Sequence, residues 1–298
     1  MLDLFDHLDL RSAEAVVSIL NSGSAANRAA RCRAGSIDTV RAAPNTRLVL
    51  TGDLHDNPLH LARVVRAAAL EGQSPAHLTL HELIHGERQG NGMDFSYRVL
   101  TRVAALKAAH PECVHTLLAN HELAQALGTT IAKDGVRVVE AFNEAVDYVF
   151  GAQASNVREA VTDFVRSMPI ALRVRRDDGA DILCAHSLPA PELMDRFDPT
   201  IIERDLDDAD YMPRQGAAHL MIWGRGHTPA QLSQLAERWS IGLFVLGHEH
   251  AEDGIYAVEP NTVVLNSDHA RGAYLDLDAR ADLRLDSVLT RARSLAER

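Results

Sequence analysis

The sequence predicts an α/β sandwich, and three observations carry that expectation. Between residues 47 and 122, short β-rich runs alternate with amphipathic helical stretches, the signature of stacked βαβ units. Between residues 169 and 186, two apolar runs flank the turn "DDGAD" and read as a hairpin. Five apolar runs end abruptly in a carboxylate, an amide or an imidazole side chain.

Taken in order, residues 1–45 read as a helical N-terminal extension. "SAEAVVSIL" is helical behind a serine start, and "NSGSAANRAA" reads as a turn and a second helix. "TRLVLTGD" is a first strand. "PLHLARVVRAAALEG" is an amphipathic helix with proline near its start and glycine at its end. "AHLTLHE" is a second strand, "DFSYRVLTRVAALKAAHP" a helix stopped by proline, and "CVHTLLANHE" a third strand. Residues 123–168 read as a mostly helical insertion, broken at "GAQASN". "PIALRVRR" and "ILCAH" form the hairpin. "TPAQLSQLAERWSI" is a helix capped by Thr228 with Pro229 in its first turn. "GLFVLGHEH" is a further strand, and the remaining residues read as strands and turns. With no repeat or long linker, residues 46–298 read as one domain behind the extension.

Composition narrows the function classes. The 298 residues include 30 basic and 41 acidic side chains, a formal charge of −11. That balance argues against nucleic acid or an acidic membrane surface as partner. Three cysteines without CxxC spacing favour a reducing, cytoplasmic setting. No apolar run approaches the ~20 residues of a membrane span, and no secretion leader is visible.

The five strand ends carry Asp53 and His55 in "GDLHD", Glu82 after "LTLH", Asn120 and His121 in "LLANHE", His186 after "ILCA", and His248 and His250 in "VLGHEH". Ligands of open α/β sheets bind beyond the carboxyl ends of strands, so one sheet edge would gather them. Singly, each has a plainer reading: Asp-x-His as a turn, Asn120 as a helix cap, His186 as a core histidine. Jointly, carboxylate, imidazole and amide oxygen without thiolate suit Mn²⁺, Fe or Zn²⁺. Seven ligands exceed one tetrahedral ion and match two bridged ions.

These blocks, "GDLHD", "LHELIHG", "LANHE", "CAHSL" and "LGHEH", resemble in order those of the calcineurin-like metallophosphoesterases. "FVRSMPIALRVRRDDGADILCAHSLPAP" and "MIWGRG" resemble more narrowly the phosphoprotein-phosphatase branch. The resemblance covers about residues 46–280. It implies a four-layer α/β/β/α sandwich and a dinuclear metal centre. Asp53, His55 and His250 would hold one ion, and Asn120, His186 and His248 the other, with Glu82 bridging. Two departures stand out. His81 replaces the glycine before the bridging acid, which is itself glutamate rather than aspartate. His85 and Gly86 replace the orienting aspartate and a phosphate-binding arginine.

The resemblance further implies a phosphoester hydrolase in which a bridging hydroxide attacks phosphorus and His121 protonates the leaving group. Glu122 or His85 would orient His121, and Arg225 or Arg88 would hold substrate phosphate. The substrate would be a phosphorylated protein, at phosphoserine or phosphothreonine, or a small molecule such as a nucleotide diester or pyrophosphate. A metal-stabilised binding protein without turnover is the reading from another class. Hydrolysis of p-nitrophenyl phosphate with added Mn²⁺ separates that reading from an enzyme.

Overall fold

The computed structural model describes residues 5, 7–129, 132, 133 and 135–296. Ser12 caps α1 (Ala13–Ala29), its Oγ accepting the Ala15 N–H at 3.3 Å. The chain continues through β1 (Arg33–Ala34), β2 (Ile37–Arg41), β3 (Arg47–Thr51), α2 (Pro58–Ala68), β4 (His77–Leu80), α3 (Tyr97–Ala109), β5 (Val114–Thr116) and α4 (Asn120–Leu127). Next come β6 (Ala132–Lys133), β7 (Val136–Arg137), α5 (Val138–Phe150), α6 (Ala154–Ser167), β8 (Ala171–Arg175), β9 (Asp181–Ala185), α7 (Ala217–Ile222), α8 (Pro229–Trp239) and β10 (Ile241–Leu246). The remaining elements are β11 (Ile255–Val258), β12 (Thr262–Leu265), β13 (Ala273–Asp278), α9 (Leu285–Leu289) and β14 (Ala292–Ser294).

Among the described residues, two large sheets form. One runs β1-β2-β8-β9-β10-β12-β11, the other β14-β13-β3-β4-β5. Their strands alternate as a doubly covered sheet requires. Leu48, Leu50, Ile182, Cys184, Leu243 and Val245 meet in the layer between the sheets. Val49, Leu183 and Phe244 point the other way, into the helix-covered core. Each such side chain, fully withdrawn from water, contributes roughly 1.5–3 kcal/mol. Helix α2 packs on β3 and β4, α3 on β5, and α8 on β10. The architecture is the α/β/β/α sandwich that the resemblance implies. Strands β3, β4 and β5 are parallel, as are β9, β10 and β12, so each sheet presents several carboxyl ends. At that edge a bridge from Asp53 to His81 extends the β3–β4 pairing, and one from Asp53 to Asn266 joins the two sheets.

Three expectations need correction. Residues 13–29 form one helix, not helix, turn and helix. Ser22 and Ser24 satisfy their hydroxyls on carbonyls one turn back, at 2.8 and 3.0 Å, and α1 lies against α3 and α6. Residues 1–45 are not a purely helical extension, because β1 and β2 join the larger sheet and β2 pairs in parallel with β8. Asp38, the second residue of β2, breaks the apolar pattern and hides the strand; Arg33 and His115 satisfy it inside, at 2.9 and 2.7 Å. The C-terminal segment contains α9 as well as strands. The 123–168 segment is helical in α5 and α6, with the short β6–β7 hairpin between α4 and α5. No helix among the described residues is long and apolar enough to cross a membrane.

Candidate metal centre and active site

Asp53, Glu82, Asn120, His186 and His248 each follow a strand end within a few residues, and the two sheets bring them together. Glu82 lies at the middle. Its Oε1 is 3.9 Å from His55 Nε2 and 3.5 Å from His121 Nε2. Its Oε2 is 3.7 Å from His186 Nε2 and accepts the His121 N–H at 3.4 Å. One carboxylate therefore faces two groups of ligands. The backbone makes room for the longer side chain by a left-handed turn, φ 47° at Glu82, held where Leu54 and His55 donate to its carbonyl at 3.1 and 2.7 Å.

On the Oε2 side, His186 Nε2 lies 2.7 Å from Asn120 Oδ1 and 2.9 Å from His248 Nδ1. The hydrogen-bond network fixes which of these atoms carry protons. Buried His81 must donate from Nε2 to the Thr51 carbonyl, 2.8 Å away. Burial lowers the His81 pKa to about 4, so its ring is neutral and Nδ1 accepts. His186 Nδ1, 3.2 Å distant, then carries the proton. That leaves the His186 Nε2 lone pair aimed at the acceptor oxygen of Asn120. Burial, reinforced by neighbouring histidines, also holds His186 neutral, and burial lowers His248 to about 3. A lone pair held 2.7 Å from an amide oxygen is relieved by a cation between them, and neutral imidazoles are the form that binds one. The donor set fits a divalent metal.

Asp53 joins from the end of β3, on the sheet that also delivers Glu82 and Asn120. Its Oδ1 accepts the His248 N–H at 2.9 Å and lies 3.5 Å from His186 Nδ1 and 3.7 Å from His81 Nδ1. This approach requires Gly247, since a Cβ there would meet Asp53 Oδ1 at 2.5 Å and His81 Cε1 at 2.6 Å. His55, Asp56, Glu82, His85 and His248 all adopt positive φ. Such backbone is costly for non-glycine residues and gathers at functional sites.

His250 stands exposed at the rim of the same cleft, its ring packed against His269 at 5.3 Å between centroids. His121 sits between His55 and His85, with ring centroids 5.2 and 5.5 Å away. Of the two residues expected to orient it, Glu122 is committed elsewhere: its Oε1 accepts the N–H groups of Leu83 and Ile84 at 2.6 and 3.2 Å. Burial pushes the Glu122 carboxyl up to about 7. His85 is held by Asp94, Nδ1 to Oδ2 at 2.8 Å.

The two arginines separate. A Cβ at Gly86 would meet the His55 carbonyl at 2.3 Å, so this backbone has no room for the arginine that the resembled branch carries there. Arg88 donates to the Asp56 carbonyl. Arg225 lines the cleft beside Asp53, His55 and His248, with Nη2 3.4 Å from His248 Nδ1.

Sequence reasoning missed three contributors. Asn266 lines the cleft, and His81 supports His186. Both end apolar runs, "TVVL" and "HLTL", so the rule that found the other ligands could have found them. Asp94 lies in a loop without such a signal.

No protein-family model matches the chain, and no curated protein does. Among solved structures, it is similar to a yeast (Saccharomyces cerevisiae) protein serine/threonine phosphatase with similarity to human phosphatase PP5. Identity is 15%, the match covers 91% of this chain and 87% of that one, and the TM-score is 0.65. It is also similar to a cold-active protein-tyrosine phosphatase of a psychrophilic Shewanella species. There identity is 15%, coverage is 80% and 77%, and the TM-score is 0.54. The chain shares the sandwich fold of these phosphatases. Within that sandwich, the candidate ligands occupy the edge where the carboxyl ends of both sheets meet.

Proposed function

We propose that the protein is a metal-dependent phosphoester hydrolase with a dinuclear centre, acting on phosphomonoesters. The observation that carries this reading is Glu82, one carboxylate facing His55 and His121 on one side and His186 on the other. Asp53, His55, Glu82, Asn120, His186 and His248 would hold two divalent ions, Mn, Fe or Zn, with His250 completing the set from the rim. Such ions supply an acidified water and neutralise phosphate oxygens. The chain's own residues do the rest. Arg225 holds non-transferring oxygens by forked hydrogen bonds. His121 donates a proton to the departing alkoxide, an effect typically of about 10²–10⁴-fold. Asp94 fixes His85, which packs beside His121. Phosphoserine or phosphothreonine in proteins is the substrate class in this reading.

The test is hydrolysis of p-nitrophenyl phosphate with added Mn²⁺, alongside elemental analysis of the purified protein. Turnover with about two ions per chain is expected. Ions bound without hydrolysis across a phosphoester panel would favour the non-catalytic binding protein instead.

A further inference from the structure

Beside the candidate centre, a groove of about 570 Å³ is lined by Leu193, Arg196, Arg214, His219, Leu220 and Trp223. Trp223 forms the partition between groove and cleft, its ring edge-on to His248 at 6.4 Å between centroids. Arg225, two residues on, lines the cleft itself. His219 stacks on Trp223 at 5.5 Å, the planes 19° apart, and stiffens the aromatic wall.

The charge in this groove is the unusual part. The chain carries a formal −11, and nearby arginines are closely matched to acids. Arg204 reaches both Asp198 and Asp210, at 2.9 and 2.7 Å, and Arg166 reaches Asp208 at 2.6 Å. Arg196 instead donates only to the Arg214 carbonyl, at 3.0 Å. Neither Arg196 nor Arg214 has a carboxylate within ion-pair distance among the described residues. Both are exposed. Two unmatched guanidinium groups facing one groove in an acidic protein are complementary to an anion.

We propose that this groove receives the peptide flanking a phosphorylated residue and selects an acidic side chain in it. This deepens the phosphatase reading and rests on it. Distance sets the position. Helix α4 runs from Asn120 at the centre to Leu127, about 12 Å for eight residues, and Thr129 just beyond it touches the groove. An extended peptide advances about 3.3 Å per residue. The Thr129 end of the groove therefore lies about three residues from the phosphorylated one, and an Asp or Glu near that position is the side chain assigned to Arg196 and Arg214, while an intervening apolar side chain meets Trp223.

The experiment uses the full chain loaded with Mn²⁺ and phosphoserine peptides with Glu, Ala or Lys three positions to either side. The wild type should favour Glu over Lys by on the order of 5- to 30-fold in kcat/KM, on one side only, as one or two partly exposed charge contacts allow. Arg196→Ala/Arg214→Ala should reduce that preference to about 2-fold or less, and Arg196→Glu/Arg214→Glu should reverse it. Hydrolysis of p-nitrophenyl phosphate should stay unchanged in both. A preference that survives the double alanine variant would overturn the subsite, as would equal loss on peptide and p-nitrophenyl phosphate. Hydrolysis of small phosphomonoesters but no phosphopeptide would overturn it in favour of a small-molecule substrate. Quenching of tryptophan fluorescence by the Glu phosphopeptide in metal-free protein reads the groove independently. If nothing is hydrolysed, quenching that the arginine substitutions abolish preserves the subsite, and its absence sinks it.

Discussion

Among the described residues, the buried histidine and carboxylate groups around Asp38 and around Glu82 are built to opposite ends. In the first, Asp38 on β2 meets His115 on β5 at 2.7 Å, Arg33 at 2.9 Å and Lys107 at 3.9 Å, and His115 continues to His77 at 3.0 Å. Cys32 adds a sulfur to the group, but burial pushes its thiol up to about 12, far from the thiolate a metal requires. The protein's own cations already neutralise this carboxylate. In the second cluster, at the strand ends, Asp53 and Glu82 have imidazoles as neighbours, of which burial holds His81, His186 and His248 neutral, and His186 Nε2 lies 2.7 Å from Asn120 Oδ1 and 2.9 Å from His248 Nδ1. Ligand-type residues are thus insufficient to mark a metal site. What distinguishes one is whether the fold has already supplied the compensating charge.

Substitution should break the two clusters in different ways. The largest effect belongs to Glu82→Gln, which should remove metal and phosphatase activity together while the metal-free protein stays folded. Full metal content in that variant, by elemental analysis, would refute the bridging role. His121→Ala should retain metal and lower kcat by about 10²–10⁴-fold; steady-state kinetics with p-nitrophenyl phosphate decides. Asp38→Ala should do the reverse of Glu82→Gln. It removes the counter-charge of buried Lys107 and part-buried Arg33, costing up to about 3–5 kcal/mol of stability, while the folded fraction keeps its metal. Denaturant titration and elemental analysis together check this.

Smaller effects sharpen the contrast. His81→Asn keeps an acceptor near the Nδ1 position and should weaken metal affinity less than His81→Gln, which mimics Nε2. Outer-shell partners of this kind are typically worth 10- to 100-fold in affinity, and calorimetric titration with Mn²⁺ would show equal loss if His81 only fills space. Acid should destabilise the metal-free protein. Burial lowers His77 and His81 to about 4 and His248 to about 3, and holds His186 well below the usual imidazole range. The unfolded chain takes up protons below about pH 6.5 that the folded one refuses, so this stability is complete above that pH and is lost on descent towards 4 and 3. Asp56 and Glu122, both raised to about 7 by burial, act in the opposite sense, but the four histidines outnumber them. Melting temperature should fall from pH 7 to 5, and His81→Asn should flatten the fall.

The candidate ligands were legible because each terminates an apolar run, and a strand can deliver a side chain to a sheet edge only where it ends. The same pattern hid β2, where Asp38 interrupts the apolar alternation because its partners come from β1 and β5. It gave no hint of Asp94, whose role depends on a loop passing His85. The N-terminal segment was misread for a related reason: serines that suggest a turn are compatible with helix once α3 and α6 cover them.

Local sequence determined the strands and helices between residues 47 and 122, the residues at the strand ends and the sign of the net charge, since these follow from periodicity, capping and composition within a few neighbours. Only the tertiary structure decided that Glu82 faces both ligand groups, that His81 sets the tautomer of His186, and that Arg196 and Arg214 share a groove with Trp223. Those relations join residues distant in the chain, and they exist only once two sheets pack face to face and their edges align.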